Sequence, residues 1–390
     1  IEALTLQHAG GRTHLLDIYA AHQHAEALDR ISDVLQELGA VPCSQRGEAA
    51  PIDWPAAALA GYRGTGYLPN PGVALQPDMT VKTAATTMIA TYLNVARHNE
   101  AGVIDDLDTE YLHDYRVSLR RVRSMISLFK GTYEAEEQRA LSARLAGLMR
   151  KTNRLRDLDV YLLEQQQDFD ALPPSLHPGL HEVFDAFSGE REAEWRQLAR
   201  HLASRAYRVE MRALQRAFAR EEHLSTGPRA SKNARLRSAS LITRRYRKVC
   251  TIAAGIDSST PDHRVHELRL QCKKLRYLLD LSGPLFGARQ VSKIVKALKR
   301  LQDNLGRFND YSVQQIALQR FLDQRLQDNP ATSAQMVEAV GALIAIKHQL
   351  QIKERALVMK NFAEFHTPAT DALFGESFAA HDEPAAAKRS

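Results

Sequence analysis

Histidine followed by a periodic series of cations occurs twice in the chain. His113 precedes Arg116, Arg120, Arg121 and Arg123, and His266 precedes Arg269, Lys273, Lys274 and Arg276. In both stretches the basic residues fall three, seven, eight and ten positions after the histidine. At about 3.6 residues per turn, the third, seventh and tenth positions share nearly one helix face with the histidine. Leu112, Tyr115, Leu119, Val122, Ile126 and Phe129 repeat at the spacing of a buried helix stripe. Each stretch therefore predicts a helix with an apolar edge for packing and a cationic edge suited to an anion.

The elements that position these stripes are themselves repeated. The two histidines are 153 positions apart (266 − 113). The segments Arg154-Leu155-Arg156-Asp157 and Arg307-Phe308-Asn309-Asp310 stand at the same offset (310 − 157). Two independent matches at one ungapped spacing indicate a duplicated unit, and a period this long means two similar units and not a solenoid.

Composition narrows the classes. The chain has 390 residues, 44% hydrophobic and 25% charged, with a net charge of +6, as expected of a globular protein of two or three domains. No apolar run reaches the length of about 18 residues that a membrane helix needs, so no membrane partner is expected. Ile1-Glu2-Ala3-Leu4 does not begin a basic-then-apolar leader, so no signal peptide is expected. Cys43, Cys250 and Cys272 are too scattered for a disulfide framework or zinc site, which makes a reducing cytoplasm the default location. Residues 1–75 hold four basic and eight acidic residues, a net of −4, which leaves +10 for the rest (6 + 4). The excess points to a polyanion partner for the later region.

The coarse reading is all-α, with a small α/β or irregular N-terminal segment. Residues 13–20 read as a strand and 24–39 as an amphipathic helix, and the Pro- and Gly-rich residues 40–78 read as linker. From Met79 the pattern predicts helices near 79–99, 109–130, 135–167, 179–203 and 205–221. A second set follows near 231–253, 262–282, 288–327 and 332–362. The expected divisions are 1–78 as leader, 79–224 and 225–366 as two four-helix units meeting at Ser225-Thr226-Gly227-Pro228, and 367–390 as a disordered tail.

The paired His-x-x-Arg-x-x-x-basic-basic-x-Arg helices and the two Asp-containing segments after them resemble the CHAD family, the conserved-histidine α-helical domain, over roughly residues 80–365. The resemblance implies two repeated four-helix units, expected to face each other about a pseudo-twofold axis. It also implies non-enzymatic binding of inorganic polyphosphate in a basic, histidine-bearing groove, with no cofactor and no metal. The leader is similar to the end of a CYTH (triphosphate tunnel) domain, but the Glu-x-Glu-x-Lys motif of that family is absent.

Residue chemistry agrees with a phosphate ligand. Guanidinium offers two parallel donors to two oxygens, and Lys supplies a mobile point charge. The expected polyphosphate-binding set is His113, Arg116, Arg120, Arg121, Arg123, Arg154, Arg156, His266, Arg269, Lys273, Lys274, Arg276, Lys296, Lys299 and Arg307. To these are added Lys82 and Arg235, which open the two units at equivalent positions. Asp157, Asp310 and Asn309 are expected to orient stripe side chains. Arg237, Arg244, Arg245, Arg247 and Lys248 supply a general positive field. Acidic partners within the stripes are scarce, with only Asp114 and Glu267 at pairing distance. For each histidine a packing role between helices competes with a ligand role. Two other functions remain open: nucleic-acid binding, which the shortage of aromatics in the stripes disfavours, and metal-dependent hydrolysis of tripolyphosphate. Two uses of the binding module are also open, targeting to polyphosphate granules and reception of polyphosphate as a regulatory signal.

Overall fold

The computed structural model describes the backbone of residues 2–8 and 11–17, residue 34, and residues 71–257, 259–328 and 333–378. At the N-terminus, β1 (Glu2–His8) pairs antiparallel with β2 (Gly11–Asp17), with Glu2 opposite Asp17 and His8 opposite Gly11. The expected strand at 13–20 is thus found at 11–17, and it has a partner that the sequence pattern did not suggest. The helix expected at 24–39 and most of the linker lie outside the described residues.

Eleven α-helices follow among the described residues. They are α1 (Val81–Ile104), α2 (Thr109–Leu128), α3 (Ala135–Arg150), α4 (Asn153–Ala171), α5 (His177–Ala203), α6 (Arg205–Ala219), α7 (Ala234–Ala254), α8 (Asp262–Ser282), α9 (Ala288–Asp328), α10 (Ala334–Phe365) and α11 (Pro368–Phe378). None is long and apolar enough to cross a membrane. The fold is all-α apart from the hairpin.

The signature helices are α2 and α8. Asp108 caps α2 by accepting from the Glu110 N–H at 2.8 Å, satisfying a donor that the helix start leaves unpaired. On α2, Leu112, Tyr115, Leu119, Val122 and Ile126 are buried. On α8, Val265, Leu268, Cys272, Leu275 and Leu279, each 153 positions later, are buried too. Full burial of each such side chain stabilises by roughly 1.5–3 kcal/mol. The two apolar stripes fix which way the two cationic edges face, and α2 packs against α8.

The starts of α1 and α7 are also tied together. Thr80 caps α1 and Asn233 caps α7, and these residues, 153 apart (233 − 80), form an isolated antiparallel bridge. The Val81 N–H donates to Lys232 O at 2.8 Å, and the Ala234 N–H donates to Met79 O at 2.9 Å. The segment between α6 and α7 is firmly docked. The Ser225 N–H donates to Glu137 Oε2 at 2.7 Å, and Gly227 N–H donates to Thr132 O at 3.0 Å. A Cβ at Gly227 would stand 2.4 Å from Tyr133 O, so only glycine fits there.

Two apolar clusters form the interior. The larger includes Ile89, Leu93, Leu119, Leu145, Met211, Ile242, Leu275 and Leu298. The smaller joins Leu158, Leu180, Val183 and Phe187 of α4 and α5 to Leu318, Ala339, Val340 and Leu343 of α9 and α10. At this second contact Gly179 lets α5 approach α10, because a Cβ would come within 2.0 Å of Gln335 O. Lys347 of α10, only 6% exposed, pairs beside it with Asp168 of α4 at 2.5 Å.

Two expectations need correction. The helix predicted over 135–167 is two helices, broken at Lys151–Thr152. There the Thr152 hydroxyl donates to Met149 O at 2.8 Å, taking a carbonyl that a continuing helix would use. The tail predicted to be disordered from 367 instead forms α11. Phe374 and Phe378 are buried in the main core, and Phe374 stacks on Tyr246 of α7 at 3.7 Å between ring centroids. Residues 379–390 lie outside the described residues.

Candidate anion-binding site

The two cationic edges meet where α2 and α8 pack. Arg116 feels Arg120, Arg120 feels Lys273, and Lys273 feels Arg269. Asp157 stands at the Arg116 end of this row, and Asp310 at the Arg269 end. The order Asp157, Arg116, Arg120, Lys273, Arg269, Asp310 therefore reads the same from either end, since each first-half residue has its counterpart 153 positions later.

The middle of the row is electrostatically unrelieved. Burial, then neighbouring Arg269 and Arg120, push Lys273 down to about 8. Burial, then Arg120, push Arg116 down to about 10. At a partly exposed site, a shift like that of Lys273 corresponds to on the order of 2 kcal/mol after allowance for screening. Among the described residues Arg120 and Lys273 form no ion pair. The buried Nε atoms of Arg120 and Arg269 have no hydrogen-bond partner, an arrangement that ordinarily costs about 1–3 kcal/mol per group. A bound anion would relieve both penalties.

Two small cavities flank the row and share Tyr277. One, of about 200 Å³, is lined by Arg269, Cys272, Lys273, Arg276, Tyr277, Gln302 and Leu305. The other, of about 230 Å³, is lined by Arg120, Arg123, Ser124, Ser127, Ser142 and Tyr277. Tyr277, Gln302 and the three serines escaped sequence reasoning because they carry no charge pattern. Cys272 is buried with its thiol pushed well up, so it offers no nucleophile.

Each histidine is held from the helix that follows it in the repeat. Arg156 Nη2 lies 3.0 Å from His113 Nδ1, and Asn309 Oδ1 lies 2.9 Å from His266 Nδ1, both pairs 43 positions apart. A guanidinium can only donate, so His113 Nδ1 accepts and Nε2 carries the proton. Burial, then Arg156, push the His113 pKa down and keep the ring neutral. Around His266 the roles reverse. Asn309 Nδ2 donates to Asp310 Oδ1 at 3.3 Å, which turns Asn309 Oδ1 towards the ring. His266 Nδ1 then donates to Asn309 Oδ1.

Other expected residues are engaged elsewhere. Lys82 does not join the groove: it is buried, and its ammonium donates to Leu224 O at 2.8 Å and Thr226 Oγ1 at 2.9 Å, latching α1 to the connection between units. Arg154 donates through Nε and Nη2 to the two carboxylate oxygens of Glu190 of α5, both at 2.5 Å. Arg307 pairs likewise with Glu354 of α10 at 2.7 and 3.2 Å. Arg276 pairs with Asp280 at 2.7 Å while still lining the first cavity. Lys299 pairs with Asp303 at 2.7 Å. Arg121 lies over the Tyr92 ring at 4.8 Å, and Arg235 lies over Phe286 at 5.9 Å. Lys274 and Lys296 are exposed. Acidic partners are thus less scarce than the linear pattern suggested. Glu267 is taken by Arg264, whereas Glu190 and Glu354 come from other helices.

Asp310 accepts from Arg269 Nη2 at 3.4 Å. Arg116 donates to the Thr152 hydroxyl and to Asn153 Oδ1 at 2.9 Å, neither anticipated from sequence. Glu110, His113 and Asp114 place ligand atoms within 4.8 Å of one another and could meet a metal ion, but Arg156 already occupies His113 Nδ1 and adds positive charge.

Fold and site together define an all-helical protein whose two signature helices press a row of cations against each other. The chain belongs to the CHAD domain family, whose model matches residues 87–319. The fold is similar to the crystal structure of the CHAD domain from the plant Ricinus communis, at 24% identity and a TM-score of 0.64, covering 78% of this chain and 98% of that one. PptA from Streptomyces chartreusis is more distant, with 15% identity and a TM-score of 0.49 over 71% of this chain and 99% of that one. An uncharacterized protein of Mycobacterium tuberculosis (strain CDC 1551 / Oshkosh) is 23% identical over 310 residues, covering 78% of this chain and 55% of that protein. The chain thus spans about half the length of that relative.

Proposed function

We propose that this protein binds inorganic polyphosphate without turning it over, through the row Arg116, Arg120, Lys273 and Arg269. The observation that carries this reading is the unrelieved middle of the row. Four cations, two from each half, lie in sequence with acids only at the ends, and two buried guanidinium N–H groups have no partner. A linear anion of closely repeated charge suits such a row better than a single phosphate would. Asp157 and Asp310 hold the outer arginines in register. His113 donates to the ligand from Nε2. Family membership and the helical fold support the reading. Association with polyphosphate granules in the cytoplasm is the corresponding cellular role.

Calorimetric titration with long-chain polyphosphate at two salt concentrations tests it, with single-stranded nucleic acid of matched charge as competitor. The expected result is salt-dependent binding that the nucleic acid does not displace. Binding no tighter than that of the nucleic acid would reduce the row to a generic basic surface. The Glu110, His113 and Asp114 grouping gives a second reading, metal-dependent phosphohydrolysis. Phosphate release from tripolyphosphate with added divalent metal would establish it in place of simple binding.

A further inference from the structure

A second group of cations lies on the outer face of α7, beyond the row at the α2–α8 contact. Arg237, Arg244, Arg245 and Lys248 stand at spacings of seven, eight and eleven residues, which one helix face accommodates. Buried Leu241 anchors that face to the core. Lys274 of α8 and Lys130, just past the end of α2, border it: burial pushes Lys274 down first, and then Arg245, Lys248 and Lys130. Arg237 is pushed down by burial, then by Arg229 and Arg244.

The face is organised as well as charged. Arg245 donates to the buried amide oxygen of Gln271, and Arg229 donates to Lys130 O at 3.2 Å. Each guanidinium is fixed by a neutral acceptor and keeps its charge and remaining donors. None of these cations forms an ion pair among the described residues, while Lys130, Arg229, Arg244, Lys248 and Lys274 are exposed. The neighbouring aromatic Tyr246 is buried against Phe374, so the face offers no ring on which a base could stack.

We infer that this face is a second anion track, continuous with the groove, that receives the part of a long linear polyphosphate extending beyond the α2–α8 row. The inference rests on the polyphosphate reading of the groove. Continuity comes from adjacency: Lys273 belongs to the row and Lys274 to the outer face, Arg245 of the outer face donates to Gln271 of α8, and Lys130 follows the helix that carries Arg120 and Arg123. The outer face runs about 16 Å from Arg237 to Lys248 at about 1.5 Å per residue. The row along α8 from His266 to Arg276 has nearly the same length by the same measure. Chains that fill only the groove are therefore indifferent to the outer face, and longer chains gain from it.

The test is the triple variant Lys130→Gln, Arg244→Gln, Lys248→Gln, titrated with tripolyphosphate and with long-chain polyphosphate over a range of salt. All three side chains are exposed, and none belongs to the groove. The expected result is tripolyphosphate affinity within about twofold of wild type, which also shows that the variant is folded. Long-chain affinity should fall about tenfold, and the salt slope should flatten by about 2, from three charges at about 0.7 each. Unchanged long-chain affinity and slope would overturn the inference and leave the groove reading standing. Equal losses for both ligands would overturn it as well, since the face would then not be a separate track. Loss of single-stranded nucleic-acid binding with polyphosphate binding intact would assign the face to nucleic acid instead. Failure of the wild-type protein to bind either phosphate chain would remove the groove reading and this inference with it.

Discussion

The two halves of the site present the same order of side chains along the row but hold them differently. In the first half, Arg116 is fixed by Thr152 and Asn153 at the break between α3 and α4, and His113 accepts from a guanidinium. In the second half the corresponding helix α9 runs unbroken from Ala288 to Asp328. There Arg269 reaches only Asp310, at 3.4 Å, and His266 donates to an amide. At the centre an arginine, Arg120, faces a lysine, Lys273. The repeated order belongs to the cationic edges, whereas the supports follow local packing. One consequence is functional asymmetry. The second half holds Lys273, whose charge burial and neighbouring cations bring closest to neutral pH.

The largest expected effect comes from removing one cation from each half. Arg116→Ala with Lys273→Ala should weaken polyphosphate binding about a hundredfold, from two charge-assisted contacts of roughly 1.5 kcal/mol each, with helical content unchanged by circular dichroism. An effect carried by only one of the two single variants would break the equivalence of the halves.

A smaller effect separates the histidines. His113 presents a ring N–H at Nε2, whereas His266 spends a ring N–H on Asn309. His113→Gln should therefore weaken polyphosphate binding about threefold by calorimetry, and His266→Gln by less. Equal losses would show that the two rings meet the ligand alike.

The supports should differ in stability. Thr152→Ala removes the Met149 carbonyl bond and the hydroxyl that receives Arg116, and should cost about 1–2 kcal/mol in thermal unfolding. Asn309→Ala, at a half-buried position on an unbroken helix, should cost less than about 1 kcal/mol. Equal costs would show that the first half is no more tightly held than the second.

Much of this organisation was legible in the sequence, because a helix converts spacing directly into direction. The 153-residue offset matched the two histidine helices and the two Asp-containing segments, and the structure places Arg156 and Asn309 of those segments against the histidines; the bridged caps Thr80 and Asn233 share the offset but were not anticipated. What was not legible depends on partners distant in sequence. Nothing near Arg154 or Arg307 signals Glu190 or Glu354, which arrive on other helices. Lys82 matched Arg235 in position but turned into the connection between α6 and α7, where Leu224 O and the Thr226 hydroxyl accept from it. The break at Thr152 depends on one hydroxyl competing for a backbone carbonyl. The helix at Pro368–Phe378 was hidden because two phenylalanines in a polar tail reveal their burial only when the core they enter is known.

The asymmetry also gives the most direct test. The free protein holds Lys273 at about 8, below its ordinary 10.5. Between those values the unfolded chain binds more protons than the folded one, so stability rises with pH across the window as the strained ammonium is neutralised. A phosphate chain on the row would favour the charged form and draw a proton back. Titration with polyphosphate at about pH 9, in two buffers of different ionisation enthalpy, measures that proton. The account predicts uptake of more than about half a proton per site, absent in Lys273→Arg. Binding without uptake, or with the same uptake in Lys273→Arg, would show that the ligand does not sit on the row.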